Sequence, residues 1–87
     1  GAALDQQDLL MTRSAQNQAL EYNKMNQRSS WNNPDSGNSG MIYPTNTYQN
    51  GNQPCREFMQ EINIGGEIHK AFGRACRRSD GTWDLVP

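Results

Sequence analysis

Chemistry in this chain has few residues to rest on: two cysteines, one histidine and eight lysines and arginines. The cysteines are best used on each other. Gly65-Gly66 suits the centre of a two-residue hairpin turn, where both positions need a positive φ that glycine adopts without strain. Folding there sets Ile64 opposite Glu67 and carries Cys55 opposite Cys76, at a non-hydrogen-bonded pair whose Cα atoms lie about 4.5 Å apart, within reach of a disulfide. The same register sets Glu57 opposite Arg74, Glu61 opposite Lys70, Met59 opposite Phe72, and Phe58 opposite Gly73, so opposite charges meet and a ring falls over a glycine. His69 sits mid-strand opposite Ile62, with no CxxC, HxxxH or carboxylate cluster to complete a metal site, and no serine lies in a nucleophile-elbow context. Neither Gly37-Asn38-Ser39-Gly40 nor Gly65-Gly66 leads into a helix that could receive a phosphate. No catalytic, metal-binding or cofactor-binding residue is assigned. Arg56, Arg74, Arg77 and Arg78 cluster at the disulfide end, where an ion-pair role with nearby acids competes with a grip on an anionic polymer.

The elements that position these residues follow from periodicity and turn chemistry. Residues 4–23 carry no Gly or Pro, and Leu4, Met11, Ala15, Ala19 and Tyr22 recur at helical spacing, which predicts an amphipathic helix capped by Asp5. Leu9, Leu10 and Leu20 fall beside that stripe and broaden it. Asp5 and Asp8 complement the positive end of the helix dipole, and Lys24 and Arg28 the negative end. Ser29–Asn32, with Trp31, reads as a strand ended by the Asn33–Gly37 turn, and Gly40–Tyr43 as its return. Pro44–Pro54 shows neither period and reads as a surface loop. After the central hairpin, Ser79-Asp80-Gly81-Thr82 predicts a two-residue turn pairing Arg77 with Asp84 and Arg78 with Trp83.

Alternation along these strands gives two apolar faces. Phe58, Ile62, Ile64, Ala71, Gly73, Ala75 and Val86 share one, whose small residues admit a helix; Met59, Ile68, Phe72, Trp83, Leu85 and the disulfide share the other. One helix covers one face. The second is expected to be closed by the Pro44–Pro54 loop and the Trp31 hairpin, against the alternative that it opens to a partner. Trp31 and Trp83 are read as core, since a small domain needs their area.

A chain of 87 residues is short enough to profit from a covalent staple, and a cystine points to an oxidising compartment: periplasm, cell surface or outside. A net charge of −1 and a mean hydropathy of −0.98 supply no field for nucleic acid. No apolar run spans a bilayer.

Taken in order, Trp31-Asn-Asn-Pro-Asp-Ser-Gly-Asn-Ser-Gly40, Ile42-Tyr43-Pro44, Cys55-Arg-Glu-Phe58, Ala71-Phe-Gly-Arg-Ala-Cys-Arg77 and Asp80-Gly-Thr-Trp83 resemble the C-terminal domain of the rickettsial-type 17 kDa surface antigen family. The resemblance covers nearly the whole chain. It implies a bacterial envelope domain, carried by an outer-membrane lipoprotein whose lipid anchor lies upstream of this sequence, and it brings no catalytic residues with it.

The expected fold is α+β: an N-terminal helix (residues 1–28) on a four- to five-stranded antiparallel meander (residues 29–87), together one domain stapled by Cys55 and Cys76. The expected function is a noncatalytic envelope module, periplasmic or surface-exposed, that binds an envelope protein or a second copy of itself. Candidate contacts are Met59, Phe72, Trp83, Arg77 and Arg78. The alternative is a domain that takes peptidoglycan or lipopolysaccharide, or inhibits a lytic enzyme, through its arginine end.

Overall fold

The computed structural model describes residues 3–87. A single helix, α1 (Gln6–Tyr22), precedes five strands, β1 (Ser29–Asn32), β2 (Ser39–Asn50), β3 (Gln53–Ile64), β4 (Glu67–Arg77) and β5 (Trp83–Val86), paired antiparallel in chain order. The α+β meander is thus as expected, with five strands.

Asp5 caps α1, and the cap is reciprocal: the Asp8 backbone N–H donates to Asp5 Oδ1 at 2.8 Å while the Asp5 N–H donates to Asp8 Oδ2 at 2.9 Å. The helix buries Asp8, Thr12, Ala15, Ala19 and Leu20. Its buried stripe is therefore displaced from the expected one: Leu20 enters the core, while Tyr22, Leu9 and Leu10 stay exposed. Small Ala15 and Ala19 let the axis approach the sheet, where they pack with Trp31, Ile42, Phe58 and Ala75. Two rings in this layer lie over glycines on neighbouring strands. Trp31 covers Gly40 and Phe58 covers Gly73, and a Cβ at Gly73 would meet Phe58 Cζ at 2.5 Å.

The central hairpin has the expected register throughout. Gly65 and Gly66 hold φ of 59° and 89°, and the ladder runs from Ile64 opposite Glu67 to Cys55 opposite Cys76, which are disulfide-bonded with their Cα atoms 4.0 Å apart. Both cysteines are buried.

Three expectations of the sheet are corrected. Pro44–Pro54 is no loop: β2 continues to Asn50, turns on Gly51-Asn52 and returns as β3, making β2 and β3 the longest strands of the sheet. Pro44 broke the apparent period, and the ladder absorbs it with a bulge between Pro44 and Asn46. Gly51, with φ of 63° and a negative φ at Asn52, supplies a type II′ pattern.

The last turn also differs. The Gly81 N–H donates to the Arg78 carbonyl and the Arg78 N–H to the Thr82 carbonyl, so the loop has three residues, with Gly81 at φ 92° in the left-handed position. Arg77 therefore faces Trp83, and Arg74 faces Val86. A one-residue slip moves every side chain to the opposite face. Trp83 and Leu85 join the helix side, and Val86 leaves it.

With Pro44–Pro54 built into the sheet, the expected closure by that segment does not form, and Phe72 and Ile68 stand exposed on the face away from the helix. β5 pairs only with Arg74–Arg77, which leaves the outer edge of β4 from Glu67 to Gly73 without a neighbouring strand.

Reducing the bridge is expected to destabilise the chain by about 3 kcal/mol, the loop-closure value for its span, seen as a lower chemical-denaturation midpoint with reductant. Gly73→Ala is expected to cost about 1–3 kcal/mol, because Phe58 must leave its place; an unchanged melting temperature would contradict the ring-over-glycine packing.

Candidate functional site

Three assemblies of polar or exposed groups stand out, one at each end of the helix and one on the open sheet face. At the helix N-terminus, Asp8 is fully buried. Its Oδ1 accepts from Asn33 Nδ2 at 2.8 Å and Ser36 Oγ at 2.7 Å, and its Oδ2 from Asn38 Nδ2 at 2.9 Å as well as from the Asp5 N–H. Burial alone would raise the Asp8 pKa. The donors from Asn38, Asp5, Ser36 and Asn33 outweigh it and hold the carboxyl well below the usual carboxylate range. Asn38 reaches further, its Oδ1 accepting from the Gly65 N–H at 3.2 Å. The Asn33–Asn38 loop thereby ties the helix start to the tip of the central hairpin. Sequence reasoning saw Asp8 only as a dipole charge and the loop only as turn chemistry. Nothing in their spacing, 25 to 30 residues apart, announced the contact.

At the helix C-terminus the arginines turn inward. Arg56 Nη1 donates to the Ala19 carbonyl at 2.8 Å, completing the helix end. Arg77 Nε and Trp83 Nε1 donate to the same Glu21 oxygen at 3.0 and 3.2 Å, and these bonds lower the Glu21 pKa against its partial burial. Arg78 pairs with Asp84 at 2.7 Å, and Arg74 donates to the Pro87 carbonyl. Every arginine of the cluster has an acceptor within the chain.

The open face carries Met59 and Phe72 as a direct cross-strand pair, flanked by Glu57 and Arg74 on one side and Glu61 and Lys70 on the other. Phe72 and Ile68 are 58% and 63% exposed, which places them outside the core. Lys70 lies 3.8 Å from Glu61. Met41 and Tyr43 of β2 extend the surface, with the Arg28 guanidinium 4.2 Å above the Tyr43 ring. Met41 and Tyr43 lie within the expected Gly40–Tyr43 strand, but reading Pro44–Pro54 as a loop hid the hairpin that sets them beside Glu61 and Met59; the Gly51-Asn52 pair was the available signal.

The five candidate contacts therefore separate. Met59 and Phe72 stand together on the open face, Arg77 and Trp83 meet around Glu21 on the helix side, and Arg78 lies at the last turn. His69 is exposed on β4, 3.8 Å from Glu67. Among the described residues no group of three or more His, Cys, Asp and Glu side chains could hold a metal ion, and no helix is long and apolar enough to cross a membrane.

A helix on one face of a bridged five-stranded meander, with the other face bare, defines a small disulfide-stapled α+β domain. Residues 18–84 match the profile of a family described as 17 kDa outer membrane surface antigen, and the chain belongs to that family. It is 42% identical over 86 residues to a 17 kDa surface antigen of Rickettsia japonica, covering 98% of this chain and 54% of that protein. Against a 17 kDa surface antigen of Rickettsia bellii it is 40% identical over 87 residues, 99% of this chain and 55% of the relative. The Rickettsia prowazekii protein of the same name is 41% identical over 83 residues, 94% of this chain and 52% of its own. The chain spans about half the length of these relatives. No solved structure matches it.

Asp8 makes a prediction about acid. A carboxylate whose folded-state pKa is depressed stabilises the fold fully above its ordinary value of 3.8, and that contribution is lost as the pH falls below it. Asp8→Asn turns one of the two oxygens into an NH2, which then faces either the donors of Asn33 and Ser36 or those of Asn38 and the Asp5 N–H. It is expected to lower the melting temperature at neutral pH and to flatten its decline between about pH 5 and pH 2. A variant that melts like the parent at pH 7 would show that the buried carboxylate contributes nothing.

Proposed function

We propose that this chain is a noncatalytic module of the bacterial cell envelope that binds another protein through its open sheet face. The observation that carries the reading is that face itself. A sheet of this length normally buries both apolar surfaces, or exposes a polar one; here Phe72 and Ile68 project into solvent beside Met59, Met41, Tyr43 and Val86. The envelope part of the proposal draws on the printed names of the relatives, surface antigens of an outer-membrane family, and on the cystine, which persists in oxidising compartments. A periplasmic or surface-exposed lipoprotein, anchored by a segment upstream of this domain, accommodates both. The noncatalytic part draws on the use of the reactive groups: both thiols are in the bridge, both Asp8 oxygens accept structural bonds, and Glu21 holds Arg77 and Trp83.

The competing reading, an arginine end that takes peptidoglycan or lipopolysaccharide, draws less support. Arg77 and Arg78 do line a hollow with Asn52, Gln53, Pro54 and Ser79, but Glu21 and Asp84 already neutralise them.

The test is a photo-crosslinker placed at Phe72 or, separately, at Arg78, in the anchored protein within its native envelope, followed by mass spectrometry. Capture of a recurring protein from Phe72, abolished when Met59 is changed to Asp, is the expected result. Capture of glycan or lipid from Arg78, weakened by salt, with nothing recurring from Phe72, would overturn it.

A further inference from the structure

We propose that the protein bound by the open face is a second copy of this chain, packed sheet on sheet as a two-fold dimer. This deepens the reading of the face as a protein-binding surface and rests on it. The argument comes from how charge is distributed across the two central strands. On the open face β3 presents Glu57, Met59 and Glu61, and β4 presents Arg74, Phe72 and Lys70 at the same heights. One strand is acidic at both ends, its neighbour basic at both ends, and the middle row is apolar.

Two-fold axes lying in the plane between two facing sheets have two simple orientations. An axis across the strands, through the Met59–Phe72 row, brings Glu57 against Glu61 and Arg74 against Lys70 of the second copy. Like charges oppose that arrangement. An axis along the strands, between β3 and β4, brings each β3 over the other copy's β4 at the same height. Glu57 then faces Arg74, Glu61 faces Lys70, and Met59 faces Phe72 of the second copy, four ion pairs bracketing an apolar centre. That is the polar-rim, apolar-core layout of a specific interface, and it keeps the strands of the two sheets nearly aligned, as face-to-face sheets pack about 10 Å apart.

The area suffices. With strands about 4.8 Å apart and a rise of about 3.4 Å per residue, β2 to β4 over the span of Cys55–Asn63, with the short β5 beside the Arg74–Cys76 end, present a plane of roughly 500 Å². Two copies bury about 1,000 Å², the lower bound for a specific interface. Lys70 is free to take part: its side chain is 67% exposed and reaches Glu61 of its own chain only loosely, at 3.8 Å. Edge-to-edge pairing is a poorer route to self-association, because the free edge of β4 would set Lys70 against Lys70 in its centred antiparallel register.

Sedimentation of the oxidised chain at low ionic strength tests the proposal. A dimer is expected by about 100 μM, and Phe72→Asp is expected to weaken it at least about tenfold while leaving the far-ultraviolet circular dichroism and the bridge intact, since Phe72 lies outside the core. Glu61→Lys alone and Lys70→Glu alone are each expected to lose the dimer. An equimolar mixture of the two is expected to recover it, because each copy's reversed residue meets its complement on the other. A chain that stays monomeric at about 100 μM, a dimer indifferent to Phe72→Asp, or a mixture without recovery would each overturn the proposal. If the chain is monomeric while the Phe72 crosslinker in the envelope captures a different protein, this inference falls and the protein-binding reading of the face stands; if neither copy nor protein is found there, both fall.

Discussion

Asp8 is an anion sealed from water with no cation touching it among the described residues, and the arrangement of the molecule depends on how that anion is satisfied. Its four donors are neutral: two amides, a hydroxyl and a backbone N–H. A carboxylate so placed tolerates no loose partner, because a single missing donor leaves buried charge uncompensated. The Asn33–Asn38 loop must therefore close over the helix start, and Asn38 in turn fixes that loop to the turn at Gly65. This knot decides which side of the sheet the helix lies on. At the other end Arg56 grips the Ala19 carbonyl, so the helix is held at both termini, with Ala15, Ala19 and Leu20 buried between them and Met11 packed at their margin.

The helix and the cystine divide the work of specification. The helix settles which face is covered, and the bridge settles what that face contains. A slip of one residue between β3 and β4 would send Phe58 out to solvent and Met59 in towards the helix, and the bond between Cys55 and Cys76 forbids it. The composition of the bare face, with its acidic strand beside a basic one, is thus fixed covalently.

Legibility in the sequence followed the range of the interaction. The central hairpin could be read to the residue, because Gly65-Gly66 is a local signal and complementary charges, Phe58 over Gly73 and the two cysteines all agree on one register. The Asp5 cap was local too. Where one local cue was weak, the error spread: Pro44 hid the continuation of β2, and the closed second face followed from that mistake. At Asp80-Gly81 a dipeptide that suits a two-residue turn served a three-residue one, and Trp83 and Leu85 changed sides. The contacts of Asp8 with Asn33, Ser36 and Asn38, and of Glu21 with Arg77 and Trp83, depend on elements docking, so no single stretch contains them. Met59 and Phe72 were legible as a pair; that Phe72 lies exposed stood only as the alternative to a closed face.

The unpaired outer edge of β4 has a bearing on how this protein fails. An exposed strand is a template on which further chains can grow without limit, and growth of that kind ends in fibres rather than in a closed particle. Here the stretch from Glu67 to Gly73 places Lys70 at its middle and glycines at or beside both ends. A strand arriving in the centred antiparallel register would bring its own lysine to the same point, and the glycines give it little to grasp. The edge can stay open at high local density, guarded against polymerisation by one ammonium group rather than by a covering strand.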